Sequence, residues 1–242
     1  MVNWPGIFHF QMLSSSILLR KALRRPGGRA RFQIVTRLSV TRYPLTMTDD
    51  TWLTPLPPKA LSGDERFTGL EIPVTVLDFW RFALSDLQMN NARGYLAEFL
   101  VGTALGIEKL RRVEWDAFDL LWEGIRIEVK ASARLQAWEQ KRHSTIEFGG
   151  LKGTRWTPRD GEDPDGKQFN ADVYVFCAHL EEEHSKYDQL AVSQWSFYVV
   201  PRVALVAYGA ERIRLSTVLT LCGGKTAWES LPDAVKKAAA DA

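Results

Sequence analysis

Apolar and polar side chains alternate with a period of two between residues 118 and 130, and this stretch predicts two short β-strands. Every second residue from Ile125 to Val129 is Ile or Val, so one face of the second strand is apolar and the other is polar. Between the strands stands Glu123-Gly124, a pair suited to a two-residue hairpin turn. We therefore predict an antiparallel hairpin with one buried face and one polar face.

The register of this hairpin brings two carboxylates together on the polar face. A turn at Glu123-Gly124 pairs Trp122 with Ile125, and counting outward from the turn places Asp119 opposite Glu128. Two unit charges about 5 Å apart repel by roughly 3 kcal/mol at an effective dielectric of about 20. The pair therefore needs a cation beside it.

Two kinds of cation could neutralise this pair. Lys130 lies on the same face two residues after Glu128, and it would give an ordinary ion pair on a solvated hairpin. A hard divalent ion that takes oxygen ligands suits two clustered carboxylates better. We expect Mg²⁺ as the cofactor, with Mn²⁺ as a substitute and the solvated ion pair as the alternative interpretation.

A third acid lies in an apolar helical segment before the hairpin. Residues 94–107 predict a helix in which Glu98 is the only charged residue, with Gly106 as its C-terminal stop. Glu98 falls among apolar and small side chains on the helical wheel, and a buried Glu needs a partner. We expect it to face a metal, a base or a phosphate-binding cleft. The alternative is a position at a rim, or a bond to a core Tyr or Arg.

The rest of the chain predicts an α/β core in which a mixed central sheet is flanked by helices. The further predicted elements are helices Val76–Met89, Leu215–Leu221 and Trp228–Ala240, and strands Ser144–Phe148, Ala171–Ala178 and Gln194–Val200. Residues 149–170 contain five Gly and two Pro and form a loop longer than compact domains usually carry. Such a loop is either a substrate-contacting flap or a disordered insertion.

Charge divides the chain into two parts. Residues 1–48 carry seven Arg, one Lys and no Asp or Glu, whereas the remainder has 23 basic and 29 acidic residues. We interpret 1–46 as a disordered basic extension, and a start codon placed too early would explain it, because Met47 begins an ordinary N-terminus. An organelle transit peptide and a DNA-binding arm are the alternatives. Residues 47–75 form a linker and lead-in to an α/β domain at 76–242. Because that domain is net acidic, any nucleic-acid surface on it must be a local basic patch.

Composition narrows the compartment and excludes a membrane-spanning class. Cys177 and Cys222 make neither a disulfide framework nor a zinc pattern, which favours the reducing cytoplasm. No apolar run approaches the roughly 18 residues needed to cross a membrane, so no membrane partner is expected.

Helix residue Glu98, strand residue Asp119 and the run Glu128-Val129-Lys130 together resemble the PD-(D/E)xK nuclease superfamily. The resemblance spans residues 91–136 of the 242-residue chain. It implies a restriction-endonuclease-like three-layer core. The chain departs from the pattern in having Phe118 where a Pro precedes the Asp, and in showing no evident strand between the helix and Asp119.

The resemblance also implies roles for these residues. Asp119 and Glu128 would bind the metal together with the carbonyl of Val129. Lys130 would orient the attacking water or stabilise charge on the phosphate, and Glu98 would be an accessory ligand. The implied activity is hydrolysis of phosphodiester bonds in DNA, of the restriction, repair or junction-resolving type, with RNA left open as a substrate. Cutting two strands favours a homodimer. The alternative is a catalytically inactive module that binds nucleic acid or a protein partner.

Basic, amide and aromatic residues follow the hairpin and suit a phosphate backbone beside the active site. These residues are Arg134, Gln136, Trp138, Lys141 and Arg142. We expect Arg134, Gln136, Lys141 and Arg142 to contact nucleic acid. The alternative is the solvated basic face of an amphipathic helix or bent strand.

Overall fold

The structure is a computed structural model that describes residues 56, 59–108, 110, 112, 117–157 and 161–241. The predicted basic extension at 1–46 lies outside the described residues, as does much of the lead-in before Lys59. The described residues from Lys59 onward belong to a single compact unit, Pro58–Ala242.

Five helices and eight strands make up this unit within its described residues. In chain order they are α1 (Val76–Ala83), α2 (Asn90–Ala104), β1 (Leu120–Trp122), β2 (Ile125–Ala133), β3 (Glu147–Phe148), β4 (Trp156–Thr157), β5 (Gly161–Glu162), β6 (Val173–His179), β7 (Trp195–Pro201), α3 (Arg202–Tyr208), β8 (Ile213–Arg214), α4 (Leu215–Cys222) and α5 (Leu231–Ala240).

The central sheet is mixed and four-stranded, in the order β1-β2-β6-β7. Strands β2 and β6 run parallel along seven paired residues, and the other neighbours run antiparallel. The predicted strands after residue 170 both join this sheet, which confirms that they extend it. Strand β3 is not part of this sheet and pairs with β8.

The β1–β2 hairpin has the register that its turn predicts. Leu120 pairs with Ile127, Leu121 with Arg126 and Trp122 with Ile125. Glu123 and Gly124 both have positive φ, 49° and 84°, as a type I′ turn requires. The twist of that turn matches the twist of paired strands, so this short edge strand keeps its pairing.

Helices cover both faces of the sheet, as predicted. On one face, the apolar side of β2 packs against α2 and α5 in a core that includes Ile127, Val101 and Val235. On the other face, Tyr174 and Phe176 pack with α3, α4 and the residues around β3. None of the described helices, of which α2 is the longest with 15 residues, is long and apolar enough to cross a membrane.

The strand expected over Ser144–Phe148 spans only Glu147–Phe148, and two helical regions also differ from the predicted pattern. The helix expected over Val76–Met89 ends at Ala83, because Asp86 takes the backbone N–H groups of the next turn and a new helix begins at Asn90. Helix α3 follows Pro201 directly, where the apolar pattern predicted only the end of a strand. Pro201 occupies the N-cap of α3, where a missing N–H costs nothing.

The conformations of two glycines lead to stability changes of opposite sign. Gly124→Ala forces a side chain into positive φ in the turn and should destabilise the protein by about 1 kcal/mol. Gly94→Ala lies inside α2 with nothing within 4 Å of the added methyl, and should stabilise by about 0.5–1 kcal/mol. Urea denaturation measures both. Equal effects of the two substitutions would contradict the turn assignment.

Candidate active site at the open end of the hairpin

Asp119 closes the open end of the β1–β2 hairpin with its side chain. One residue beyond the paired ladder, its backbone N–H donates to the carbonyl of Ile127 at 3.0 Å. Its carboxylate oxygen Oδ2 accepts the N–H of Val129 at 2.7 Å. The paired ladder therefore ends at Leu120, and beyond it Asp119 bonds to β2 through both its backbone N–H and its carboxylate.

The carbonyl of Val129 points toward the same side as Asp119. In a strand, the N–H and C=O of one residue point to the same edge, and the Val129 N–H is directed at Asp119. The Val129 side chain itself is buried in the core on the α2 face. Two oxygen donors, one carboxylate and one carbonyl, thus lie at the edge of β2 where β1 stops.

Glu128 and Lys130 lie on the opposite face of β2 from Val129 and bond to each other. The Lys130 ammonium donates to Glu128 Oε1. The Lys130 side chain is 23% exposed and the Glu128 side chain 16% exposed. The alternative interpretation expected an ion pair on a solvated face. The ion pair is present, but its side chains are mostly shielded from solvent.

Glu98 projects from α2 toward the same region and has a cation of its own. Arg112 Nε donates to Glu98 Oε2 at 3.1 Å, while its guanidinium lies over the ring of Tyr95 at 4.6 Å. The Glu98 side chain is 13% exposed. The partner that this buried helix acid needs is Arg112 in this structure.

Asp119 lies between two cavities and belongs to the wall of both. The first, about 140 Å³, is polar and is lined by Ala117, Phe118, Asp119, Glu128, Gly150, Leu151, Gly153, Thr154, Asn170 and Tyr174. The second, about 150 Å³, is more apolar and is lined by Tyr95, Glu98, Phe99, Leu110, Arg112, Asp119 and Leu120. Asp119 and Glu128 share the first cavity, and Asp119 and Glu98 share the second.

The three acids influence one another electrostatically. Burial, the charge of Asp119 and the charge of Glu98 raise the pKa of Glu128 to about 7, although Lys130 opposes them. Burial and the charge of Asp119 likewise raise the pKa of Glu98, against the opposing charges of Arg112 and Lys130. Burial and Glu128 together raise the pKa of the Tyr174 hydroxyl. The cluster is therefore short of positive charge.

The donor set of this cluster suits a hard divalent cation. Carboxylates of Asp119 and Glu128 with the Val129 carbonyl are all oxygen ligands, and their mutual repulsion is what such an ion relieves. Over the described ranges, no three His, Cys, Asp or Glu side chains stand close enough together to hold a metal ion as they are placed. Binding would therefore require the carboxylates to leave Lys130 and Arg112.

The residues predicted to contact nucleic acid are placed in different surroundings. Lys141 and Arg142 are exposed in the segment after β2, and Arg134 pairs with Glu182 at 2.9 Å. Gln136 is buried: its Oε1 accepts from Arg93, and its Nε2 donates to the carbonyl of Ala133. Both ends of that side chain are bonded inside the protein, so Gln136 is not placed to contact a nucleic acid in this structure.

The base of the 149–170 loop forms one wall of the first cavity. Gly153 and Gln168 form a bridge, and Asn170 Nδ2 donates to the carbonyl of Gly153 at 2.9 Å. Arg155 donates to Asn170 Oδ1 at 3.0 Å. The described part of this loop is thus a folded hairpin beside Asp119 and Glu128. Its Gly-rich composition predicted either a substrate-contacting flap or a disordered insertion, and its described part is folded; Asn170 and Thr154 carried no separate signal in the sequence.

The raised pKa of Glu128 gives the protein a pH-dependent stability. The folded-state pKa of Glu128, about 7, exceeds the ordinary value of 4.5. The contribution of Glu128 to the free energy of unfolding is therefore fully present below pH 4.5 and is lost as the pH rises through 7. Glu128→Gln should remove this dependence and raise the melting temperature above pH 7 by about 6 °C, corresponding to roughly 2 kcal/mol. Thermal unfolding between pH 4 and 9 measures it. Glu123→Gln, at the exposed turn, is the control, and parallel pH curves for all three proteins would contradict the prediction.

Comparison of the chain with protein-family models, with curated proteins and with solved structures gives no match. The functional assignment therefore depends on the residues and geometry of this site.

Proposed function

We propose that the protein is a metal-dependent nuclease that hydrolyses phosphodiester bonds in DNA. The observation that carries the proposal is the placement of Asp119 and Glu128 in one polar cavity, with Lys130 bonded to Glu128. The shortage of positive charge around these acids supports it. Mg²⁺ is the proposed cofactor, and Mn²⁺ is expected to replace it.

Asp119, Glu128 and the Val129 carbonyl would hold the ion at the end of β1. Held by these residues, a divalent ion would supply activation of a water and polarisation of a phosphoryl oxygen. The bond from the Val129 N–H to Oδ2 fixes the orientation of the Asp119 carboxylate. The rigid hairpin thereby fixes the position of two donors before substrate arrives.

Lys130 would change partners when the site is loaded. In the structure its ammonium neutralises Glu128, and a bound cation would compete for that same carboxylate. Once released, the ammonium would remain near the cavity, where it could orient the attacking water or stabilise charge developing on the phosphate. Arg112 would hold Glu98 in the same provisional way on the other side of Asp119.

The fold is consistent with a restriction-endonuclease-like three-layer core, and we infer that the chain has one. The support is the mixed sheet with helices on both faces, an acid on the helix before the hairpin, and the acid-x-lysine run on a central strand. A homodimer and a cytoplasmic location belong to the same proposal.

The rival is a catalytically inactive module that binds nucleic acid or a protein partner. The two existing ion pairs favour it, since Glu128 with Lys130 and Glu98 with Arg112 satisfy these acids without a metal. In that case the hairpin acids serve only stability.

Cleavage by wild type and two variants distinguishes the nuclease from the rival. We expect Mg²⁺- or Mn²⁺-dependent cleavage of plasmid or branched DNA, and a loss of at least about 100-fold in Asp119→Ala and Lys130→Ala. Gel analysis of products measures the rates, and RNA substrates run in parallel identify the polymer. Glu123→Gln, an acid at the turn of the same hairpin, should cleave at the wild-type rate. Background cleavage that is equal in all four proteins rejects the enzyme.

The role of Glu98 is tested by the metal requirement. If Glu98 assists metal binding, Glu98→Gln should raise the Mg²⁺ concentration for half-maximal cleavage by about tenfold. A magnesium titration of the cleavage rate measures this. An unchanged titration curve would leave Glu98 with only its ion pair to Arg112.

A further inference from the structure

A third cavity lies at the far end of β2, and its wall combines basic and hydroxyl side chains with the apolar Ile146, Leu215 and Leu219. Its volume is about 340 Å³. The basic and hydroxyl side chains of its wall belong to Arg134, His143, Ser144, Thr145, Arg214 and Ser216. Two arginines and a histidine supply every ionisable side chain in its wall, and no acid lies among the lining residues.

This cavity is exceptional against the charge of the domain. After residue 48 the chain has 23 basic and 29 acidic residues, whereas the lining residues of this cavity include two arginines and no acid, and the carboxylates of Glu182 and Glu147 pair with those arginines from outside the lining. Guanidinium groups bind phosphate through paired N–H donors, and hydroxyl groups add neutral donors. The combination suits a phosphate group.

The ion pairs at the rim leave both arginines able to change partner. Arg214 Nε is 3.7 Å from Glu147, and its side chain is 72% exposed. Arg134 pairs with Glu182, whose side chain is itself about half exposed. Solvent-exposed ion pairs of this kind contribute at most about 1 kcal/mol, so a phosphate with several donors can displace them.

The cavity lies on the same side of the sheet as the Glu128 and Lys130 side chains. Lys130 pairs with Phe176, which belongs to the core that also contains Ile146, a residue of the cavity wall. Arg134 follows Lys130 by four residues, or about 13 Å of extended chain. At a rise of about 3.4 Å per nucleotide, this spans about four nucleotides of one strand.

We propose that this cavity is a second subsite that binds a backbone phosphate of the polynucleotide, about four nucleotides from the bond that is cut. The nucleotide offset rests on the proposed nuclease function, whereas phosphate binding itself does not. Arg214 and Arg134 contact the phosphate oxygens, and Ser216 donates from the start of α4. The site reads no bases, so it strengthens binding equally across sequences.

The test is binding of a fluorescein-labelled DNA duplex in EDTA, where no metal-dependent cleavage occurs, followed by fluorescence anisotropy between about 50 and 200 mM salt. Arg214→Ala and Arg134→Ala should each weaken binding about tenfold and lower the salt slope by about one. Arg212→Ala is the matched control, because Arg212 pairs with the same Glu147 at 2.7 Å but does not line the cavity. It should bind as the wild type does.

Ser216→Asp separates a binding defect from a folding defect. A carboxylate in the first turn of α4 should raise the melting temperature slightly while its charge opposes phosphate, so stability and DNA binding move in opposite directions. Unchanged affinity and salt slope in Arg214→Ala, Arg134→Ala and Ser216→Asp would overturn the subsite. Weaker DNA binding by these variants, together with no cleavage by the wild type, would support the subsite and reject the nuclease. The two proposals can therefore fail separately.

Discussion

The bond from the Val129 N–H to the Asp119 carboxylate, 2.7 Å long, is the contact on which the geometry of the site depends. Strand β1 is only three residues long and lies at the edge of the sheet. A short edge strand leaves the donors and acceptors of its neighbour open to water. Asp119 occupies that opening with a charged acceptor, and the same bond that completes the hairpin fixes the acid beside Glu128.

Fixing these acids creates an electrostatic cost that the surrounding cations offset only in part. Lys130 and Arg112 each neutralise one carboxylate, yet Glu98 and Glu128 both retain raised pKa values. A protein that used these acids only for stability would gain by burying apolar side chains in their place. Retaining three mutually repelling acids around two cavities is the pattern expected where charge is needed for binding or chemistry.

The sequence predicted those parts of the site that local geometry decides. Turn length and period-two alternation are enough to fix the register from Trp122 to Leu120. An isolated acid in an apolar helix is enough to require a partner for Glu98. Both signals act over a few residues, so tertiary packing has little room to change them.

Contacts between distant segments could not be predicted in this way. Gln136 is a polar residue of the kind usually found at the surface. It is buried here because Arg93, 43 residues earlier, donates to its Oε1. The base of the 149–170 loop is held together by Asn170, which donates to the carbonyl of Gly153 across 17 residues whose pattern predicts no regular element. The cavity around Arg134 is completed by Arg214 and Ser216, which meet it only because β8 pairs with β3.

The two charged cavities on one side of the sheet together explain how a net acidic domain could hold a polyanion. On the proposed function, Glu128 and Asp119 would repel a phosphate unless a cation is bound, whereas the cavity that contains Arg134 and Arg214 would attract it. On the same proposal, a polynucleotide held at the far end of β2 would enter the acidic cavity only together with a metal. Each of the two charged regions along β2 is small compared with the domain. Arg134 of the one cavity follows Lys130, which bonds to Glu128 of the other, by about 13 Å of extended chain. Since screening at physiological salt acts over about 8 Å, the charges of the two cavities would act separately and not as one averaged field.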